Sequence, residues 1–173
     1  LCIAKIIEPI GNNDYKPSVA RWNMATEEIN PMPYEYPDLK KVRFIYAASA
    51  EHQLYVQCYT QYDLMTICDF NGNLKCNIYG PKWVNEKTQT QHYSLGVEFC
   101  GDKILALYSG GDHRTDAYYP TKFLVFDLNG NYLKTLETGY MITDFCYDKE
   151  NNRLIINLND EIQFAYLDLE GII

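Results

Sequence analysis

Apolar residues recur along this chain in short runs of at most five, broken by polar turns, and the same words return. Four segments align: SVARWNMATEEI (18–29), DLMTICDFNGNLKCNI (63–78), TKFLVFDLNGNYLKTL (121–136) and EIQFAYLDLEGII (161–173). Anchored on Asn23, Asp69, Asp127 and Asp168, they are separated by 46, 58 and 41 residues, a spacing close to that of propeller blades. Around each anchor the columns keep their character. One residue before it stand Trp22, Cys68, Phe126 and Leu167, and one after stand Met24, Phe70, Leu128 and Leu169. Four before are Val19, Met65, Phe123 and Phe164; two before, Ile67, Val125 and Tyr166 are large while Arg21 departs. A strand wetted on one side alternates apolar with polar, whereas this one is apolar on both faces and calls for packing on both sides. Radially stacked sheets supply that environment.

Upstream of each anchor the pattern repeats as strand, short polar turn, strand: KVRFIYAASAEHQLYVQCY, SLGVEFCGDKILALYSG and MITDFCYDKENNRLIINLN. Each unit therefore reads as strands A and B, the anchor strand C, and a short D strand such as LKCNIYG or YLKTLET. Helical signals are scarce, and 24–29 fits a hairpin loop. The expected fold is all-β: a single β-propeller domain over 1–173 with about three to four four-stranded blades, near 1–40, 41–81, 92–139 and 140–173.

The D-x-N-G-N words at Asp69 and Asp127 mimic the opening of a calcium loop. An EF-hand loop wants Gly at its sixth position and Glu at its twelfth. Counted from Asp69 these are Leu74 and Gly80; from Asp127, Tyr132 and Thr138. Asn-Gly between two strand runs is instead a strong hairpin signal, since Gly takes positive φ at low cost. We read a turn and expect neither metal nor cofactor. A three-residue loop there sets Cys68 opposite Cys76, a geometry that permits a cross-strand disulfide. No C-x-x-C spacing occurs among Cys2, Cys58, Cys68, Cys76, Cys100 and Cys146, which read as structural thiols in apolar runs.

Composition changes the picture little. With 47% apolar and 22% charged residues in 173, the chain has the make-up of a folded domain. A net charge of −8 and the lack of a basic block argue against nucleic acid and anionic membrane surfaces. No run is long enough for a transmembrane helix. The start, LCIAKIIEPIG, is no signal peptide as it stands, and the missing initial Met implies processing or excision from something longer.

The recurring aromatic-D-x-N-G and I-x-x-F-C-Y-D-x-x-x-N-R-L words, over roughly residues 40–173, resemble the TolB-like six-bladed β-propeller family, many of whose members are exported lipoproteins of Bacteroidetes. NHL-type propellers share the D-x-N-G turn. The resemblance implies a cell-envelope location, periplasmic or anchored by lipid at the outer membrane, and says little about chemistry. Six blades are not present. The chain is expected to be the C-terminal half of a longer propeller, two copies completing each other, or a compact four-bladed ring. An open arc would also leave edges inviting self-association.

Candidate chemistry falls in the long connections: 11–18, 30–40, 80–94 and 109–122, expected on one rim of the funnel. The richest, SGGDHRTDAYYP, brings Asp112, His113, Arg114 and Asp116 within five positions, followed by Tyr118 and Tyr119. Trp83 and His92 lie in the neighbouring connection, and Tyr34 and Tyr36 in another. Aromatic rings there offer stacking platforms for sugars or peptide side chains. His52 falls in a turn on the opposite face, where exposure is expected. No G-x-S-x-G, H-E-x-x-H, Walker A or dinucleotide motif is present. Two readings follow. The favoured one is a non-catalytic binding propeller holding a glycan, peptide or envelope protein on Trp83, His92, Asp112, His113, Arg114, Tyr118 and Tyr119. The rival is a hydrolase or lactonase with calcium held by carboxylates such as Asp112 and Asp116, and His113 moving protons.

Overall fold

The computed structural model describes residues 2–12, 14–32, 39 and 42–173. Among these residues fourteen strands form four antiparallel meanders. The first sheet contains β1 (Cys2–Gly11), β2 (Asp14–Asn23) and β3 (Glu28–Pro31). The second contains β4 (Phe44–Ser49), β5 (Leu54–Tyr59), β6 (Leu64–Asp69) and β7 (Leu74–Tyr79). The third contains β8 (Thr90–Cys100), β9 (Lys103–Asp112), β10 (Lys122–Asp127) and β11 (Tyr132–Glu137), and the fourth β12 (Ile142–Asp148), β13 (Arg153–Leu158) and β14 (Phe164–Asp168). The sheets stack face to face through three apolar cores. Val19, Tyr55 and Leu64 lie in the core between the first and second sheets, Met65, Ile67 and Phe126 between the second and third, and Phe123, Val125 and Leu154 between the third and fourth. Among the described residues no core joins the fourth sheet to the first. The molecule is an all-β arc of propeller-like sheets.

The anchor columns explain the stacking. Residues two and four before the anchor face the following sheet, and those one and three before face the preceding one. Met65, Ile67, Phe123 and Val125 are completely buried. Each such side chain contributes about 1.5–3 kcal/mol on leaving water. The two-sided burial expected of the anchor strand holds for β6 and β10. On β2 and β14 one face stays open.

The D-x-N-G-N turns are closed by their own aspartates. Asp69 accepts from the backbone N–H of Asn71 (2.8 Å) and Asn73 (2.9 Å) and from Asn73 Nδ2 (2.8 Å). Asp127 accepts the same three bonds from Asn129 and Asn131 at 2.8, 2.9 and 2.8 Å. Asn23 and Asp168 each accept from the N–H two residues on. Gly72 and Gly130 take φ of 86° and 85°, the left-handed region where glycine has no Cβ penalty. The carboxylates are spent on the turn.

Three expectations are corrected. Cys68 pairs with Leu74, not Cys76, because a bulge shifts the register after Ile67, which takes Cys76 as its partner. Cys68 thus faces the first sheet and Cys76 the third; all six thiols are free, and burial pushes the Cys68 thiol up to about 11. The connection expected over 11–18 is mostly strand, as β1 and β2 pair as far as Gly11 and Asp14. His52 is half-buried in its turn, with Nε2 2.8 Å from the Gly101 carbonyl.

Candidate functional site

The rim of predicted residues is less available than its sequence suggests. Arg114 donates from Nε and Nη2 to the two oxygens of Asp112 (3.1 and 2.8 Å), and these hydrogen bonds hold the Asp112 carboxyl well below the usual range. His113 Nδ1 lies 2.9 Å from the Gln89 carbonyl, and its backbone N–H donates to the same oxygen at 3.1 Å. Tyr118 and Tyr119 stack on each other with ring centres 4.2 Å apart, around a short 3-10 turn at Asp116–Tyr118 that the sequence did not reveal. The loop is a self-contained knot. Trp83 is half-buried, edge-on to Tyr79 (4.9 Å) and beside Tyr62 (6.3 Å), and caps the core between the first two sheets. Tyr34 and Tyr36 lie outside the described residues.

His92 departs furthest from expectation. It lies in β8, not in a loop, and is 2% exposed. There it meets two groups that sequence reasoning passed over. Its Nδ1 is 3.4 Å from the Tyr108 hydroxyl and 3.7 Å from Asp63 Oδ1. Asp63, 1% exposed, accepts at Oδ2 from the Lys82 backbone N–H (2.9 Å) and from the Tyr108 hydroxyl (3.3 Å). Among the described residues Oδ1 has no hydrogen-bond partner. A buried polar atom left without a partner is rare and costly, so it marks a place to look for function. Burial lowers the His92 pKa; Asp63 opposes the shift and Lys82 reinforces it. Burial, with the nearby Asp63, raises the Tyr108 hydroxyl well above its ordinary value.

Asp63 is also paired sterically. Gly80 N–H donates to the Asp63 carbonyl (2.8 Å), and a Cβ on Gly80 would fall 2.1 Å from Oδ1. Only glycine leaves the carboxyl this space. Beside it a cavity of about 380 Å³ opens between β7 and β11, its walls formed by Tyr79, Tyr93, Tyr108, Phe126 and Tyr132. Lys122 and Glu137, 3.5 Å apart, stand beside it at the same end as Gly80 and Pro81. Its size and its apolar walls with few polar groups are those of small-molecule sites. Among the described residues no three His, Cys, Asp or Glu side chains come together as a metal site.

Asp63 could have been found from the repeat. Six residues before the anchor the other units carry Pro17, Thr121 and Ile162, and only the second carries an acid.

The fold thus defines the class, an all-β arc of propeller-like sheets with a cavity between two of them. Among the solved structures that share it are the following two. Hydrazine synthase of Kuenenia stuttgartiensis superposes with a TM-score of 0.62 at 13% identity, over 89% of this chain and 40% of that one. A protein of unknown function from Bacteroides caccae superposes with a TM-score of 0.55 at 16% identity, over 87% of this chain and 50% of its own. The chain therefore spans half or less of each, and the likeness is one of fold. No known family profile and no curated protein matches the sequence. Among the described residues no helix is long and apolar enough to cross a membrane.

Proposed function

We propose that this chain is a non-catalytic ligand-binding propeller module, and that its ligand, a glycan or a peptide, enters the cavity between β7 and β11. The observation that carries this reading is the unpartnered Asp63 Oδ1 beside an aromatic-walled cavity. A ligand with a hydroxyl or ammonium donor satisfies that oxygen, while Tyr79 and Tyr132 cover its apolar face. Lys122 and Glu137 orient polar groups near the mouth. The TolB-like resemblance supports placement in the bacterial cell envelope, periplasmic or lipid-anchored, with an envelope glycan or peptide as the natural ligand class.

The reading moves the site away from the 109–122 loop, where Asp112, His113 and Arg114 satisfy one another or the backbone. The calcium-hydrolase alternative leaned on that loop, and Asp112 has both oxygens engaged by Arg114. Screening the chain against glycan and peptide arrays, with Asp63→Asn and Asp112→Asn in parallel, tests the reading. Retention should fail for Asp63→Asn and survive for Asp112→Asn; the reverse pattern would return the site to the loop.

A further inference from the structure

We propose that the open face of the fourth sheet receives the first sheet of a second copy of this chain, two copies closing head to tail into one ring. The anchor columns carry the inference. Two and four residues before the anchor, the second and third sheets present Ile67, Met65, Val125 and Phe123 to the sheet that follows, all 0% exposed. The same positions of the fourth sheet are Tyr166 and Phe164, 67% and 68% exposed. Ile155, opposite Tyr166 on β13, repeats the column of Val56 and Leu105, which are completely buried. The fourth sheet thus presents large apolar side chains on a face against which, among the described residues, no sheet packs; the Arg153 guanidinium lies over the Tyr166 ring at 5.3 Å.

The first sheet has the complementary side open. One residue before the anchor, Cys68 and Phe126 are 0% and 3% exposed against the preceding sheet, whereas Trp22 is 38% exposed and its cross-strand neighbour Ile29 52%. One chain therefore carries both halves of the contact that its three internal cores make. A patch of this kind on a folded chain marks an interface. A head-to-tail contact made twice, each copy's fourth sheet on the other's first, closes about a two-fold axis instead of running on as a fibre. The two solved structures compared above are each at least about twice as long as the part this chain matches.

Sedimentation equilibrium of the 173-residue chain should give twice the 20.1 kDa chain mass. Phe164→Lys with Tyr166→Glu, and separately Trp22→Lys, should each return it to one chain mass, with unchanged circular dichroism as evidence of folding. Leu133→Lys, at an exposed site elsewhere, should leave the pair intact. A short bis-maleimide should join Cys2 of one copy to the exposed Cys146 of the other, since those thiols belong to the two open faces. A single-chain mass for the unaltered protein overturns the proposal. So does a species larger than two copies, a pair indifferent to the Phe164 and Tyr166 changes, or a cross-link joining Cys146 only to Cys146.

Discussion

The second and third sheets begin their anchor strands alike and diverge at one spot. In both, the chain following the outer strand donates a backbone N–H back to the carbonyl six residues before the anchor: Gly80 to Asp63 at 2.8 Å, Thr138 to Thr121 at 2.9 Å. In the third sheet the Thr138 hydroxyl adds a bond of 2.8 Å to the same carbonyl, and the junction is sealed. In the second, glycine withdraws its side chain and a buried carboxyl occupies the space. The two changes need each other, since a Cβ on Gly80 and the Asp63 carboxyl cannot share one volume. A structural junction has become a polar pocket through a coupled pair of residues.

The largest effect should come from refilling that space. Gly80→Ala should destabilise by about 1–3 kcal/mol, as overpacking does, and much of the loss should vanish in an Asp63→Ala background. Urea unfolding of the four-member cycle measures the coupling, and additive costs would mean the pair is not one unit. Thr138→Ala, which removes the hydroxyl that bonds the Thr121 carbonyl and accepts from the Tyr140 N–H at the matching junction, should cost only about 0.5–1.5 kcal/mol. Next, Asp63→Ala should cost about 1–3 kcal/mol by leaving the Lys82 N–H and the Tyr108 hydroxyl without their acceptor. Thr121→Ala, at the equivalent position, should stay within about 0.5 kcal/mol.

A pH series sharpens the same comparison. Burial depresses His92 below 6.5, so the unfolded chain binds this proton more readily than the folded one. The stability carried by the neutral ring is complete above the unfolded value and declines as pH falls below it, toward the lower folded value. His92→Gln should flatten that limb of the unfolding midpoint; an unchanged slope would remove His92 from the account. The smallest and most symmetrical effect belongs to the turns. Hydrogen bonds, chiefly from the Asn73 and Asn131 side chains, depress Asp69 and Asp127 below 3.8. Their contribution is present above that value and lost as pH falls through the folded values. Asp69→Asn and Asp127→Asn should therefore weaken the acid limb to a similar degree, and unequal effects would break the equivalence of the two turns.

The architecture was legible because its signals are local and repeated. An Asx-closed Asn-Gly turn announces itself within five residues, and the apolar columns around it report which strands are covered on both faces. Register was harder. One bulge after Ile67 separates Cys68 from Cys76, and spacing alone does not encode it. His92 reads as a loop residue but lies in a strand, because β8 extends into what reads as a polar connection. Asp112, His113 and Arg114 look like a site because their charges are adjacent in sequence, and adjacency is what lets them neutralise one another. Asp63 lies in the bend before β6, Tyr108 in β9 and Tyr132 in β11, and they come to one cavity only when two sheets stack. A site assembled this way shows in sequence as an exception, here one acid in an otherwise unacidic column.

The central claim is that ligand enters beside Asp63 and not at the 109–122 loop. The most direct measurement is a nuclear magnetic resonance titration of the labelled chain with methyl glycosides and with the tripeptide Gly-Lys-Gly, following backbone shifts. The account predicts saturable shifts at Gly80, Tyr108 and Tyr132 with at least one probe, lost in Asp63→Asn, while Asp112 to Tyr119 stays still. Saturable shifts confined to Asp112–Tyr119, with the cavity silent, would contradict it.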